Sequence, residues 1–588
     1  MSDYKSTREE NLEAEVDMFK GQSEKTIWAM FTLVLLIFFA GVYGQFSARF
    51  HDYVPLGDEP ALLEGSLNHG PLQWVVSGYS KYFEIYPEWF VPYTNFIRPI
   101  TNAIVWISAS FFGGNYLAYL SIYYISIFTC LFVALLIFKT MDLNPYLFGL
   151  FAVFWIFSPA VSGPGLWNIP FIFDVVATSM IVLAFTCVLK EKYISGIVLL
   201  TISVFTKETA LFAPFAAALT ILIARPLTFK RAGFAAAALL PIIFWIGLRL
   251  TAFGAIVGGT YASIGISSVA RGLTTWPLGI SWVGSLFKAW KEGGDFVLYA
   301  VFSLFYIILS LIIVISIAII IYKICCSFRV GYKFYFYYPD SLFKIYFYSA
   351  LIWFGLSLSY VVLLGVGGRF GSSIYFFLGI ILAAAPKLYP KEVAGRLPVA
   401  ALALLAVTFV PSAFASMAKD AASVRNDTAL AKSLYLALGE LPQNNEPVLV
   451  VNAPMAYSSP ASIQWLTGTK NEISFLNQFE GCTHIDDQNA AGRSYTADDQ
   501  IRVAIPECAK IVFLGAKIPP VSSGSDSVLR RTDFGDYQFV RSSMQQNITN
   551  SSETADFGKE FRFNSQKKFG HIIFYDWERS RYIASSKN

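Results

Sequence analysis

Two neighbouring carboxylates, Asp58 and Glu59, stand in the stretch LGDEPALLEG, soon after the first long apolar run of the chain. Further along come Arg98 in NFIRPITN, Asp174 in IPFIFDVVAT, Lys207 and Glu208 in VFTKETALFAP, Arg249 at the end of an apolar run, and Arg369 in GVGGRFGSSIYFF. A carboxylate can accept a proton from an attacking hydroxyl. Guanidinium and ammonium groups can stabilise negative charge that develops on a departing group. These residues are conspicuous because of what flanks them. Most lie inside or beside strongly apolar segments, where an ionised group costs several kcal/mol unless it is paired or wet.

Those segments identify the scaffold. The chain has 588 residues, of which 55% are hydrophobic and only 14% charged. A soluble domain carries about 25% charged residues. Mean hydropathy is +0.52. The apolar residues fall in runs near the ~20 residues that cross a bilayer. Residues 27–44 and 301–322 contain no charge at all, and a soluble helix rarely lacks a polar face. The pattern predicts a polytopic α-helical membrane protein of about eleven spans. They are expected near 26–44, 115–138, 145–160, 170–189, 193–206, 209–224, 232–250, 297–321, 345–363, 373–386 and 397–416. Residues 1–25 are a charged N-terminal tail, and the first span does not have the form of a cleaved signal.

Orientation is read from basic residues in the short loops. With the N-terminus cytoplasmic, one face collects Lys139, Lys190, Lys192, Arg225, Lys230, Arg231, Lys323, Arg329, Lys333, Lys387, Lys391 and Arg396. Two long loops, 45–114 and 251–296, then lie on the opposite face, together with residues 417–588. The first loop is rich in Trp and Tyr, which favour the membrane interface, so short surface helices are expected there. In the same frame Asp58, Glu59, Arg98, Asp174, Lys207, Glu208, Arg249 and Arg369 all fall on the outer side. That co-location suggests a polar cavity opening outward. Each charge also has a structural reading. Arg249 or Arg369 could snorkel to an interface. Lys207–Glu208 could be a solvated turn, Asp174 the structural partner of an arginine, and Asp58–Glu59 a solvated loop pair.

From residue 417 the composition changes. Residues 427–440 read as an amphipathic helix. Short apolar runs at Val448–Val451, Ile473–Leu476, Ile511–Leu514, Tyr537–Val540 and Ile572–Tyr575 read as strands. A small soluble α/β domain is expected over 417–588, with 541–568 as a mobile polar loop. Cys482 and Cys508 lie in this region and form a disulfide candidate in an oxidising compartment. No His/Cys cluster has zinc spacing, and no Walker or Rossmann motif is present. No cofactor is evident; a divalent ion on a carboxylate pair stays possible without being indicated. A net charge of +4 gives no reason to expect nucleic acid as a partner. Asn426, Asn547 and Asn550 begin glycosylation sequons. They keep an endoplasmic reticulum location open beside the bacterial inner membrane with a periplasmic C-terminal domain.

Taken in order, these residues resemble the GT-C glycosyltransferase superfold, polytopic enzymes that take a sugar from a polyprenyl-phosphate carrier. The Asp58-Glu59 pair is similar to one that protein O-mannosyltransferases and lipid A aminoarabinose transferases place in the first outer loop. Arg98-Pro99 with the following FFGGNYLAYLSIYY, Asp174, the segment Phe205-Thr206-Lys207-Glu208-Thr209, Leu248-Arg249 and Arg369-Phe370 resemble positions of the O-mannosyltransferases that carry tetratricopeptide repeats. The resemblance spans roughly residues 27–385, and no tetratricopeptide array follows. It implies an inverting transfer to a glycan, a lipid-linked glycan or a protein. Asp58 is then the candidate base, and Glu59 orients it or binds the acceptor. Arg249, Arg369, Lys207 and Arg98 are candidate ligands of the donor phosphate, with Asp174 and Glu208 in support. A transporter or flippase of lipid-linked sugars or other solutes is the alternative, since intramembrane charges also mark transport paths. No inverted repeat favours it.

Overall fold

The structure is a computed structural model that describes residues 28–47, 97–112, 115–162, 169–224, 226–253, 341–364, 371–388, 393–442 and 444–451, and shorter segments from there to 585. Asp58, Glu59, Arg369, Cys482, Cys508, the expected span at 297–321 and nearly all of the loop 251–296 lie outside the described residues.

The helices are α1 (Trp28–Ser47), α2 (Pro99–Phe112), α3 (Tyr116–Thr140), α4 (Pro145–Ile156), α5 (Ile169–Leu189), α6 (Tyr193–Thr206), α7 (Ala213–Ile223), α8 (Phe229–Ala238), α9 (Leu240–Phe253), α10 (Leu342–Leu364), α11 (Ser372–Leu388) and α12 (Val393–Gly439). Among the described residues, six stretches are long and apolar enough to cross a bilayer: Trp28–Ser47, Tyr116–Thr140, Phe171–Leu189, Phe229–Thr251, Leu342–Tyr360 and Arg396–Ala422. The chain is an integral membrane protein of the helical kind. The chain divides into two compact units. One holds Met1–Ser47, Tyr116–Ile256 and Tyr261–Ala421; the other holds Ala48–Asn115, Val257–Thr260 and Ala422–Asn588.

In the first unit α11 is the central post. Every residue from Ser372 to Ala385 is buried, so this helix is apolar on all sides because it meets protein on all sides. Phe376 receives Phe151 and Trp155 of α4 edge-on, at 5.3 and 5.8 Å between ring centroids. Phe377 meets Phe185 of α5 at 5.2 Å and Trp353 of α10 at 5.6 Å. The Trp353 indole donates to Thr220 Oγ1 of α7 at 3.0 Å, which satisfies both polar groups where no water reaches. Pro241 accounts for the interruption between α8 and α9. It has no N–H for the carbonyl four residues back, and Leu239 closes the preceding turn onto Ala236 and Ala237 instead.

Two ion pairs place the short loops. Arg231, on α8, meets Glu191, between α5 and α6, at 3.4 Å. Lys387, near the end of α11, meets Asp142, between α3 and α4, at 2.7 Å, and its ammonium also donates to the Met141 and Asp142 carbonyls at 2.9 Å. Asp142 and Glu191 each adopt positive φ, 50° and 60°. Each closes its helix the same way. Leu143 N–H reaches back to Phe138 O at 3.0 Å, and Lys192 N–H to Cys187 O at 2.8 Å, as in a Schellman motif. The loops grouped by their basic residues are therefore paired in space: α3–α4 with the end of α11, and α5–α6 with the start of α8.

The second unit contains α2, the last part of α12 and the strands. The strands are β1 (Val448–Val451), β2 (Ala453–Pro454), β3 (Ile473–Phe475), β4 (Asn477–Gly481), β5 (Ser494–Ala497), β6 (Gln500–Ala504), β7 (Ala509–Phe513), β8 (Ser527–Thr532), β9 (Gly535–Val540), β10 (Glu560–Ser565), β11 (His571–Asp576) and β12 (Arg581–Ser585). They form sheets ordered β12-β11-β1-β3, β5-β6-β10-β9-β8 and β2-β4-β7. In the first sheet β1 is parallel to both neighbours, with Leu449 opposite Ile572 and Ser474. Val448, Leu449 and Val450 are fully buried, which is why this strand is a continuous apolar run with no alternation.

Residues 427–440, expected as a helix, form the end of α12, which runs unbroken through Pro398 and Pro411. One expectation is corrected. The polar stretch 541–568 is not all loop. Glu560–Ser565 is β10, the middle strand of its five-stranded sheet, paired with β6 and β9. Its alternation is apolar at Phe561 and Phe563 only, too brief to stand out from its polar surroundings.

Gly379 tests the packing of the central post. A Cβ there would come within 2.7 Å of the Phe151 ring and 3.1 Å of the Phe154 ring, and both rings are fully buried. Gly379→Ala should lower stability by about 1–3 kcal/mol through overpacking, read as thermal unfolding in detergent. Gly355→Ala on α10, where nothing lies within 4 Å, should be neutral or slightly stabilising because alanine favours helix.

Candidate buried polar site

Asp174 and Lys207 come together. Lys207 Nζ lies 3.2 Å from Asp174 Oδ2, with side chains only 4% and 3% exposed. The other carboxylate oxygen, Oδ1, accepts from Thr209 Oγ1 at 3.2 Å. One short motif thus grips both oxygens of one acid. The backbone explains how. The α6 helix stops at Lys207, which is extended (φ −153°, ψ 139°), and a single 3₁₀ turn, Glu208–Ala210, follows. Turning out of the helix brings Lys207 and Thr209 back onto the first turns of α5.

Neighbouring groups complete the site. Thr178 Oγ1 bonds the Asp174 carbonyl at 2.9 Å and lies 2.6 Å from Ser372 Oγ at the first turn of α11. Ser372 Oγ also donates to the Asp174 carbonyl at 3.3 Å. The Trp155 indole donates to the Ser372 carbonyl at 3.0 Å. The ends of α4, α5, α6 and α11 therefore meet in one polar layer. An ion pair away from water is sustained only when its remaining lone pairs and protons find partners, and this layer supplies hydroxyls where they are needed.

Helix lengths give its depth. The α6 helix has 14 residues, about 21 Å at 1.5 Å per residue. The α7 helix has 11, about 17 Å. The first starts from, and the second ends at, the face marked by the Glu191–Arg231 pair. Neither reaches across a hydrocarbon core of about 30 Å. The break at Lys207 thus lies within membrane depth. Irregular backbone there is tolerated only when protein or a cavity surrounds it.

Arg249 is also buried, at 2% exposure. Its guanidinium lies over the Trp245 ring, 5.1 Å from the centroid. Ala238, Ile242, Trp245 and Arg249 form the buried stripe of α8 and α9, while Ile243, Phe244, Leu248 and Leu250 are exposed. Arg98 is buried in the second unit, and its carbonyl accepts from Asn102 N–H to open α2. Glu208 is half-buried in the 3₁₀ turn.

Two structural readings of these charges are overturned. Lys207 is not a solvated turn residue: it is buried and pairs with Asp174. Arg249 does not snorkel to water. Thr178, Thr209, Ser372 and Trp155 were not singled out from the sequence. Thr209 had a signal, since a hydroxyl beside a membrane-depth Lys-Glu pair is a ready partner. Ser372 and Trp155 had none, because their roles depend on contacts far apart in the chain. Among the described residues no group of three His, Cys, Asp or Glu side chains could hold a metal ion.

No protein-family model and no curated protein matches this chain.

The pair can be tested for coupling. Asp174→Asn or Lys207→Met alone breaks a buried ion pair and should cost about 3–5 kcal/mol. The double variant Asp174→Asn/Lys207→Met should recover most of that loss in detergent unfolding. Losses that simply add would show that the two side chains are not coupled.

Proposed function

We propose that the chain is a GT-C-type glycosyltransferase of about eleven spans with a small C-terminal α/β domain, moving a sugar from a polyprenyl-phosphate donor to a glycan, lipid-linked glycan or protein acceptor. The observation that carries this reading is the buried polar layer itself. Lys207 and Thr209, from the segment that resembles the Lys-Glu signature of polyprenyl-phosphate-sugar transferases, fold onto Asp174, the acid at the expected start of the fourth span. Arg369 precedes Ser372 of that layer by three positions in the sequence.

The proposed step is a single displacement. The acceptor oxygen forms a bond to the anomeric carbon as the bond from that carbon to the phosphate oxygen breaks. The acceptor proton passes to the Asp58 carboxylate, and Glu59 orients that group or the acceptor. The polyprenyl phosphate leaves with one more negative charge than it had in the donor. Arg249, Arg369 and Arg98 offset that charge. Lys207 contributes differently, because Asp174 already balances its ammonium: it is a directed donor held by Asp174, with Glu208 in support. No nucleotide takes part. In this reading the N-terminus is cytoplasmic and the last domain is periplasmic, in a bacterial inner membrane.

The test compares glycans and glycolipids, by mass spectrometry, from cells with and without the protein. A sugar-sized mass difference should appear and name both sugar and acceptor. Asp58→Asn should abolish it, since a general base contributes about 10²–10⁴-fold, while membrane insertion and yield stay unchanged. Arg249→Gln should lower transfer without changing the products. Full activity of Asp58→Asn, or solute flux through proteoliposomes lacking any glycosyl donor, would overturn the reading.

A further inference from the structure

A groove of about 250 Å³ lies between α3 and α5, at the end opposite the Asp174 layer. Its walls include Phe128, Phe132 and Leu136 of α3 and Leu183 of α5, and it ends at Lys190 and Lys192. Phe128 and Phe132 stack at 6.2 Å and are 47% and 39% exposed on the outer surface of the bundle. In a membrane that surface faces acyl chains. The two threonines in the wall offer little to a polar ligand. Thr129 Oγ1 donates to Ile125 O at 2.8 Å, and Thr186 Oγ1 to Val182 O at 3.1 Å. The groove is therefore apolar along its length and cationic at one end.

The cationic end is held open for an anion. Lys190 and Lys192 are exposed on either side of Glu191, in the turn closed by the Lys192 N–H bond to Cys187 O. Glu191 is the acid that would otherwise neutralise them, but its carboxylate is engaged by Arg231 at 3.4 Å. Neither lysine forms an ion pair among the described residues.

We infer that this groove binds an anionic glycerophospholipid of the leaflet on the α5–α6 side. One acyl chain lies along Phe128, Phe132 and Leu183, and the headgroup phosphate meets Lys190 and Lys192. An alkyl chain with an anion at one end is the ligand class that matches these walls and this end, and a bulk membrane lipid reaches the site without leaving the bilayer. The inference is independent of the transferase proposal, which concerns the opposite end of the bundle.

The full chain, reconstituted in vesicles of equal phosphatidylglycerol and phosphatidylcholine and then extracted in mild detergent, should retain phosphatidylglycerol over phosphatidylcholine by roughly thirtyfold, as two lysines near an anionic headgroup imply. Retained lipid is quantified by mass spectrometry. Lys190→Gln/Lys192→Gln, both exposed and harmless to folding, should abolish the preference but still retain lipid. Leu183→Trp, filling the groove, should lose retained lipid of both kinds. Equal retention of the two lipids by the unaltered chain, or an unchanged preference in the double lysine variant, would overturn the inference. So would preferential capture of an added polyprenyl phosphate over phosphatidylglycerol that the lysine substitutions remove.

Discussion

A carboxylate and an ammonium group buried together inside an apolar bundle dictate much of what surrounds them. Removing two charges from water costs several kcal/mol per ion. Attraction at 3.2 Å offsets that cost only if the other lone pairs and protons are also met. This explains the hydroxyls gathered at the layer. Thr209 takes the second oxygen of Asp174, and Thr178 and Ser372 occupy its carbonyl. It explains equally why α6 ends where it does. A continuous helix would carry the Lys207 side chain along its own axis, whereas an extended residue followed by a 3₁₀ turn lets two residues of one motif meet one acid.

The same requirement organises the bundle along its length. The α11 helix joins two polar levels, Ser372 at one end and Lys387 at the other, about 22 Å apart at 1.5 Å per residue. Ser372 is tied to Asp174, Thr178 and Trp155. Lys387 is tied to Asp142 and to the carbonyls that close α3. Between them the helix is apolar apart from Ser373 and the Tyr375 hydroxyl, and it packs against aromatic rings of α4, α5 and α10. In lipid, where helices gain little from mere apolar contact, close packing and polar ties must hold neighbours together. A fixed post with polar ties at both ends keeps α4 and α5 from sliding along it.

The helical membrane character was legible from the sequence, since runs such as residues 27–44 have no other stable home. The positions of most helices followed, because each run is bounded by charge, Pro or Gly. Continuity was harder to read. The α12 helix runs past a change in composition because helix propensity persists when apolar residues give way to AKDAASVRNDTALAKSLYLALG. The α8–α9 interruption at Leu239 falls within a single apolar run and rests on one proline. At the polar layer the ionisable members, Asp174 and Lys207, were visible as charges out of place. Their hydroxyl partners were not. Serine and threonine are common in membrane helices, where most bond the carbonyl a turn back, as Thr129, Thr140 and Thr201 do here. Only the fold distinguishes Thr209 and Ser372 from these.

The depth of the polar layer bears on what it could serve. A group in the middle of the hydrocarbon would meet no headgroup, and one at the surface would need no burial. The α6 arm covers about 21 Å, starting from exposed lysines at the α5–α6 turn. Lys207 is therefore left short of the far surface of a 30 Å core by about 9 Å. At that depth Lys207 meets its counter-charge within the protein, at Asp174. An ammonium away from water is sustained by the paired acid and by the hydroxyl on that acid's other oxygen. Arg249 is buried differently, with its guanidinium over the Trp245 ring. A lysine gripped by an acid and an arginine stacked on Trp245 thus bury their charges by different means: an ion pair serves the first, and an aromatic face is among the contacts of the second.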